Sequence, residues 1–153
     1  MEFQMITKCF YRLLPLQVPL FWEAIKFAVS RTEALGVEDK PEVYTDLLHS
    51  LLNGTSQCIV ILDSSKTLVG IVITSVMANK LTLKKELLIR SLYSMQQFSD
   101  DERLYGMDLA RKLALKEGCS SIGFTTGNER LWHWADVLKI KEQHRYFSVE
   151  VKN

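Results

Sequence analysis

No run of apolar residues in this chain approaches the roughly 18 to 20 that a membrane-spanning helix needs. The opening Met1-Glu2-Phe3-Gln4-Met5 lacks the basic-then-apolar order of a secretion signal, so the cytoplasm is the expected location. Proline is scarce, at three residues, and glycine numbers seven in 153, which excludes a collagenous or low-complexity chain. The three cysteines, Cys9, Cys58 and Cys119, are odd in number and lack paired spacing. That fits a reducing compartment, with free and mostly buried thiols, better than a disulfide-stapled secreted domain. Charge of either sign is not in surplus: 19 basic and 18 acidic side chains leave +1, so no overall field recruits nucleic acid or an anionic membrane and partner choice must be local. Arg90, Arg103, Arg111 and Lys112 form no run, and His49, His133 and His144 are scattered, so neither nucleic acid nor a metal is expected. The chain is 47% apolar and 24% charged, proportions of a globular protein, and its length suits a single domain spanning residues 1–153.

Periodicity supplies an order of elements. Met5 to Leu14 reads as a first strand ended by Pro15. Phe21, Ala24, Ile25, Ala28 and Val29 recur at helical spacing in a helix from Leu20 to about Leu35, with Pro19 where a first-turn proline costs nothing. A second helix follows Pro41, carrying Val43, Leu47, Leu48, Leu51 and Leu52 on one stripe and stopping at Asn53-Gly54. Gln57 to Leu62 and Thr67 to Val76 form a hairpin about Asp63-Ser64-Ser65-Lys66. Lys84 to Met95 reads as a further antiparallel strand, although Lys84 to Leu88 alone also suits a helix. A helix ending at Glu117 precedes a strand at Ser121 to Thr126, a helix from Asn128 to Val137 and a last strand near Arg145 to Val151. The class is α+β, a mixed, mostly antiparallel sheet with helices on both faces, and the strands flanking the third helix are a parallel pair.

This order resembles the GNAT superfamily of acyl-CoA-dependent N-acyltransferases. Ile59 to Asp63 with Leu68 to Val72 looks like that family's second and third strands. Ala114 to Ile122 looks like the end of its central helix and the entry to the next strand, and Asn128 stands where the family often opens the following helix with asparagine. The resemblance implies acetyl-CoA as co-substrate and a primary amine, on a small molecule or peptide, as acceptor. It also implies that the pantetheine arm pairs with fourth-strand backbone near Leu92 and Tyr93, and that a glycine-containing loop offers amides to the pyrophosphate.

Two registers for that loop stay open. In one, Arg103-Leu104-Tyr105-Gly106-Met107-Asp108 matches the family pattern except at Asp108, so Arg103, Leu104, Tyr105 and Gly106 face phosphate. In the other, counted back from Gly118, the loop falls on Phe98 to Arg103. That stretch has no glycine but carries a capping box, Ser99 with Glu102, and Asp100 and Asp101 in the first turn. The second register implies weak or absent coenzyme binding.

For catalysis, Glu86 is the candidate base and Tyr93 the candidate acid, because the tyrosine usual in the family's later helix has no counterpart: Trp134 or Ala135 falls there. Trp132, His133 and Trp134 form an aromatic cluster suited to a cleft or to the interface of a homodimer. Two functions remain in view: an N-acetyltransferase, or a catalytically inactive GNAT-fold binding or assembly protein with a degenerate coenzyme loop.

Overall fold

Strands in the middle of the chain, with helices before and after them, build one sheet covered on both faces. The computed structural model describes residues 7–32, 41–78 and 81–124 of the protein. Its strands are β1 (Cys9–Arg12), β2 (Ser56–Leu62), β3 (Leu68–Ala78), β4 (Lys85–Ser94) and β5 (Ser121–Phe124). They lie side by side in chain order, antiparallel as far as β4, with β4 and β5 parallel. Helices α1 (Val18–Thr32) and α2 (Pro41–Asn53) fall between β1 and β2, and α3 (Asp100–Lys116) connects the parallel pair. This is the expected α+β arrangement. The helix expected at 128–137, the strand expected at 145–151, Asn128 and the Trp132–Trp134 cluster lie outside the described residues.

Side chains of a strand point alternately to its two faces, and the register assigns each face a core. Cys58 and Val60 of β2 sit opposite Ile73 and Ile71 of β3. These four pack with Ile25, Ala28 and Val29 of α1 and Leu47 and Leu51 of α2. On the other face Leu87 of β4 meets Ala114 and Leu113 of α3, with Val76 and Ile122 alongside. With both faces covered, β2 is buried almost continuously instead of alternating. The stretch from Lys84 that also suited a helix is strand, because burying Leu87 and Ile89 with Glu86 and Leu88 less buried requires period two.

Two boundaries differ from the sequence reading. The first strand is only Cys9–Arg12, since Leu13 turns inward, donating its N–H to Cys58 O at 2.9 Å and burying its side chain under the helices. The third helix starts at Asp100, ahead of Arg103 and Gly106. The β3–β4 ladder also slips: Ile73 faces Ser91 and Thr74 faces Ile89, so Arg90 is an extra residue in a bulge.

Candidate functional site

In a strand–helix–strand unit the helix begins at the carboxyl end of the first strand, and ligands of such units gather there. Here that end is formed by Leu92, Tyr93 and Ser94 of β4, the segment from Met95 to Phe98, and the first turn of α3. Among the described residues β5 pairs with β4 from Glu86–Ser121 to Ile89–Phe124, and β4 runs on to Ser94. Leu92 faces the α3 side of the sheet, since it pairs with Val72, and is 55% exposed. Tyr93 faces the opposite side and packs edge-on against Phe27 of α1, ring centroids 5.6 Å apart.

The start of α3 is capped by its own side chains through a reciprocal pair of bonds. A helix start leaves amides without intrahelical acceptors. The Ser99 N–H donates to Glu102 Oε1 at 2.9 Å, and the Glu102 N–H donates to Ser99 Oγ at 3.2 Å. The next amide, Arg103 N–H, already bonds to Ser99 O at 3.0 Å. Asp100, Asp101 and Glu102 all stand in this turn, where carboxylates satisfy the helix dipole. Lys8, just ahead of β1, completes the closure by placing its Nζ 2.9 and 2.8 Å from the two Glu102 oxygens and 4.9 Å from the Phe98 ring centroid. Both ion-pair side chains are largely withdrawn from solvent, at 10% and 9% exposure. Burial alone would push the Glu102 carboxyl up; the Lys8 hydrogen bond, the Ser99 bonds and the Lys8 charge outweigh it and hold the group below the ordinary glutamate range.

Arg103, Leu104, Tyr105 and Gly106 lie within the first turns of α3, not in a loop before it. Their amides belong to the helix ladder. Gly106 has a different use: a Cβ there would come within 3.2 Å of Phe10 Cε2, so its hydrogen lets β1 approach α3, and Phe10 meets the Tyr105 ring at 5.5 Å. Glu86 is at the far end of β4. Its Oε2 accepts from Ser121 Oγ at 3.2 Å, and its carboxylate covers Gly123, where any Cβ would collide with it. Glu86 and Tyr93 are seven positions apart along β4, roughly 20 Å at a strand's rise. The expected base and acid thus do not meet at one reacting atom. The residue that sequence reasoning missed is Lys8, which no local pattern marks.

Acetyl-CoA can be tested against these groups. Its diphosphate needs free amides and a positive field at the start of α3, and it would meet Asp100, Asp101 and a capped, carboxylate-filled turn. The residues present do not fit the diphosphate.

Sheet order, the parallel β4–α3–β5 unit and helices on both faces define the GNAT acetyltransferase fold. No protein-family model matches the chain, and no curated protein matches it. Among solved structures, it is similar to an aminoglycoside acetyltransferase from an uncultured soil metagenomic sample, with TM-score 0.70, 15% identity, and 96% of this chain and 100% of that one covered. It is also similar to an aminoglycoside N-acetyltransferase in complex with CoA, with TM-score 0.67, 9% identity and 95% of each chain covered. A ribosomal-protein-alanine N-acetyltransferase from Brucella melitensis biovar Abortus 2308 matches at TM-score 0.59 and 12% identity, with 95% of this chain and 99% of that one covered. Among the described residues no helix is long and apolar enough to cross a membrane, and no group of three His, Cys, Asp or Glu is placed to hold a metal ion.

Proposed function

We propose that this protein uses the GNAT fold for binding or assembly and does not transfer acetyl groups. The observation that carries the reading is the capped start of α3, where Ser99, Glu102 and Lys8 bond to one another and Asp100 and Asp101 add negative charge. A dianionic diphosphate brought there would displace hydrogen bonds already made and face like charge. The separation of Glu86 from Tyr93 along β4 supports the same reading, since proton transfer needs both groups within hydrogen-bond reach of the reacting atoms.

The fold favours a second reading, an acetyl-CoA-dependent N-acetyltransferase acting on a primary amine, because the solved structures it resembles are acetyltransferases; in that reading a pantetheine arm would pair with β4 backbone between Arg90 and Ser94. In that reading Glu86 is the base, Tyr93 the acid, and Leu92 and Tyr93 supply the backbone contacts.

Thermal unfolding with and without acetyl-CoA separates the two. A ligand at 100 times its Kd stabilises by about 2.7 kcal/mol, which for a chain of this size raises Tm by roughly 5–10 °C. The binding reading expects no rise at millimolar acetyl-CoA, and expects Asp100→Ser with Asp101→Gly to create one. A rise in the unaltered protein, accompanied by acetylation of an amine, would establish the transferase instead.

A further inference from the structure

β1 is shorter than the strand it pairs with, and the difference leaves a recess. Pairing of β1 with β2 ends at Arg12–Ile59, followed by one further bond from the Leu13 N–H to Cys58 O. In an antiparallel pair the N–H and C=O of a residue point to the same neighbour. Cys58 and, two positions before it, Ser56 therefore turn their main chain toward the space beyond the end of β1. Thr55 turns the other way and accepts from the Val76 N–H at 3.2 Å. The exit of β1, the α2–β2 junction and the C-terminal end of α3 enclose a recess of about 300 Å³ there. That is the lower end of the size range of ligand sites, so its occupant must be small.

The lining is apolar on one side and charged on the other. Leu13, Val18, Leu51 and Cys58 belong to the core beneath α1 and α2, and Leu14, at the mouth, is 63% exposed. Arg12, Lys116 and Glu117 supply the charge. Arg12 Nη2 donates to Glu117 Oε1 at 3.0 Å, and a guanidinium has further N–H groups to offer. Lys116 is exposed and has no ion pair among the described residues. Two cations against one carboxylate leave this lining one positive charge over. Carbonyls at the end of α3, which would repel an anion, are engaged: Leu113, Ala114 and Leu115 O accept from the Glu117, Cys119 and Gly118 N–H groups.

We infer that this recess binds a small aliphatic carboxylate, its chain against Leu13, Val18 and Leu51 and its head group on Lys116 and Arg12. The local charge selects an anion over an amine, and the apolar wall selects an acid with a hydrocarbon chain over inorganic phosphate. The site stands apart from the capped start of α3, since a helix of 17 residues sets its two ends roughly 25 Å apart. None of Lys8, Ser99 and Glu102 takes part in it, so it holds whether or not coenzyme binds.

Titration of the full chain with hexanoate, followed by amide proton–nitrogen correlation spectra, tests it. Millimolar hexanoate should produce saturable shifts at the amides of Leu13, Leu14, Ser56 and Cys58. Hexanol and hexylamine should bind about tenfold more weakly or worse, the scale of one charge-assisted hydrogen bond. Lys116→Gln should weaken hexanoate by about the same factor and leave hexanol unchanged. Leu14→Ser should weaken both ligands and preserve the preference for the acid. Circular dichroism and Tm should be unaltered in both variants, whose substituted side chains are exposed. The absence of saturable shifts, shifts confined to Ser99–Arg103, or equal binding of hexanol and hexanoate would each overturn the inference.

Discussion

Replacing Lys8 by methionine isolates the bond that closes the start of α3. The substitution keeps most of the apolar stem beside Phe98 and removes the ammonium, leaving the Glu102 carboxylate buried with only its Ser99 bonds. Breaking a buried ion pair from one side costs about 3–5 kcal/mol. The pair retains about a tenth of its exposure and Glu102 keeps its cap, so the lower end, about 3 kcal/mol, is expected at neutral pH. For a domain of this size that lowers Tm by roughly 6–12 °C. The loss should shrink on acidification, with the following sign. In the unaltered protein the folded Glu102 pKa is depressed, so its stabilisation is present above the unfolded glutamate value and disappears as pH falls through the folded one. In Lys8→Met, burial is no longer opposed by the ammonium, and protonating Glu102 relieves the folded state. The two stabilities should therefore converge below the ordinary glutamate range. Urea unfolding across pH, with Glu102→Gln completing a double-mutant cycle, measures both. A loss below about 1 kcal/mol at neutral pH, the scale of an exposed pair, or a difference independent of pH, would refute the account.

The remaining expectations are local. Ser99→Ala should cost about 1 kcal/mol by removing the acceptor of the Glu102 N–H, read as a shifted urea midpoint with an unchanged slope. In the native protein a maleimide or disulfide reagent should label Cys9 and spare the other two thiols, because Cys9 is exposed while burial pushes Cys58 up to about 12 and raises Cys119 as well. Labelling of Cys58 at the rate of Cys9 would contradict its position in the core.

The elements that sequence patterning read well depend on near neighbours. The stripe of Ile25, Ala28 and Val29 is fully buried as its spacing predicts, and Leu47 and Leu51 of α2 are buried too. The hairpin from β2 to β3 forms about Asp63, whose Oδ1 accepts from the Ser65 and Thr67 amides at 2.9 Å each. Gly106 matches a loop pattern in sequence, but in the fold it is a helical residue against which Phe10 packs from β1. Likewise Tyr93 and Glu86 share one strand, and only the paired register shows that they stand at its two ends.

The chain's own pattern determined that a helix begins after Ser99, because a capping box joins residues three apart and is complete within one turn. Tertiary structure alone decided what packs against that helix start. Lys8 reaches Glu102 across 94 positions of sequence, and no local periodicity encodes such a contact. It exists because β1 lies at the sheet's edge with Phe10 against α3, which carries the preceding lysine to the carboxylate. The pair is largely withdrawn from water, so removing either partner would leave the other's charge without its counter-ion.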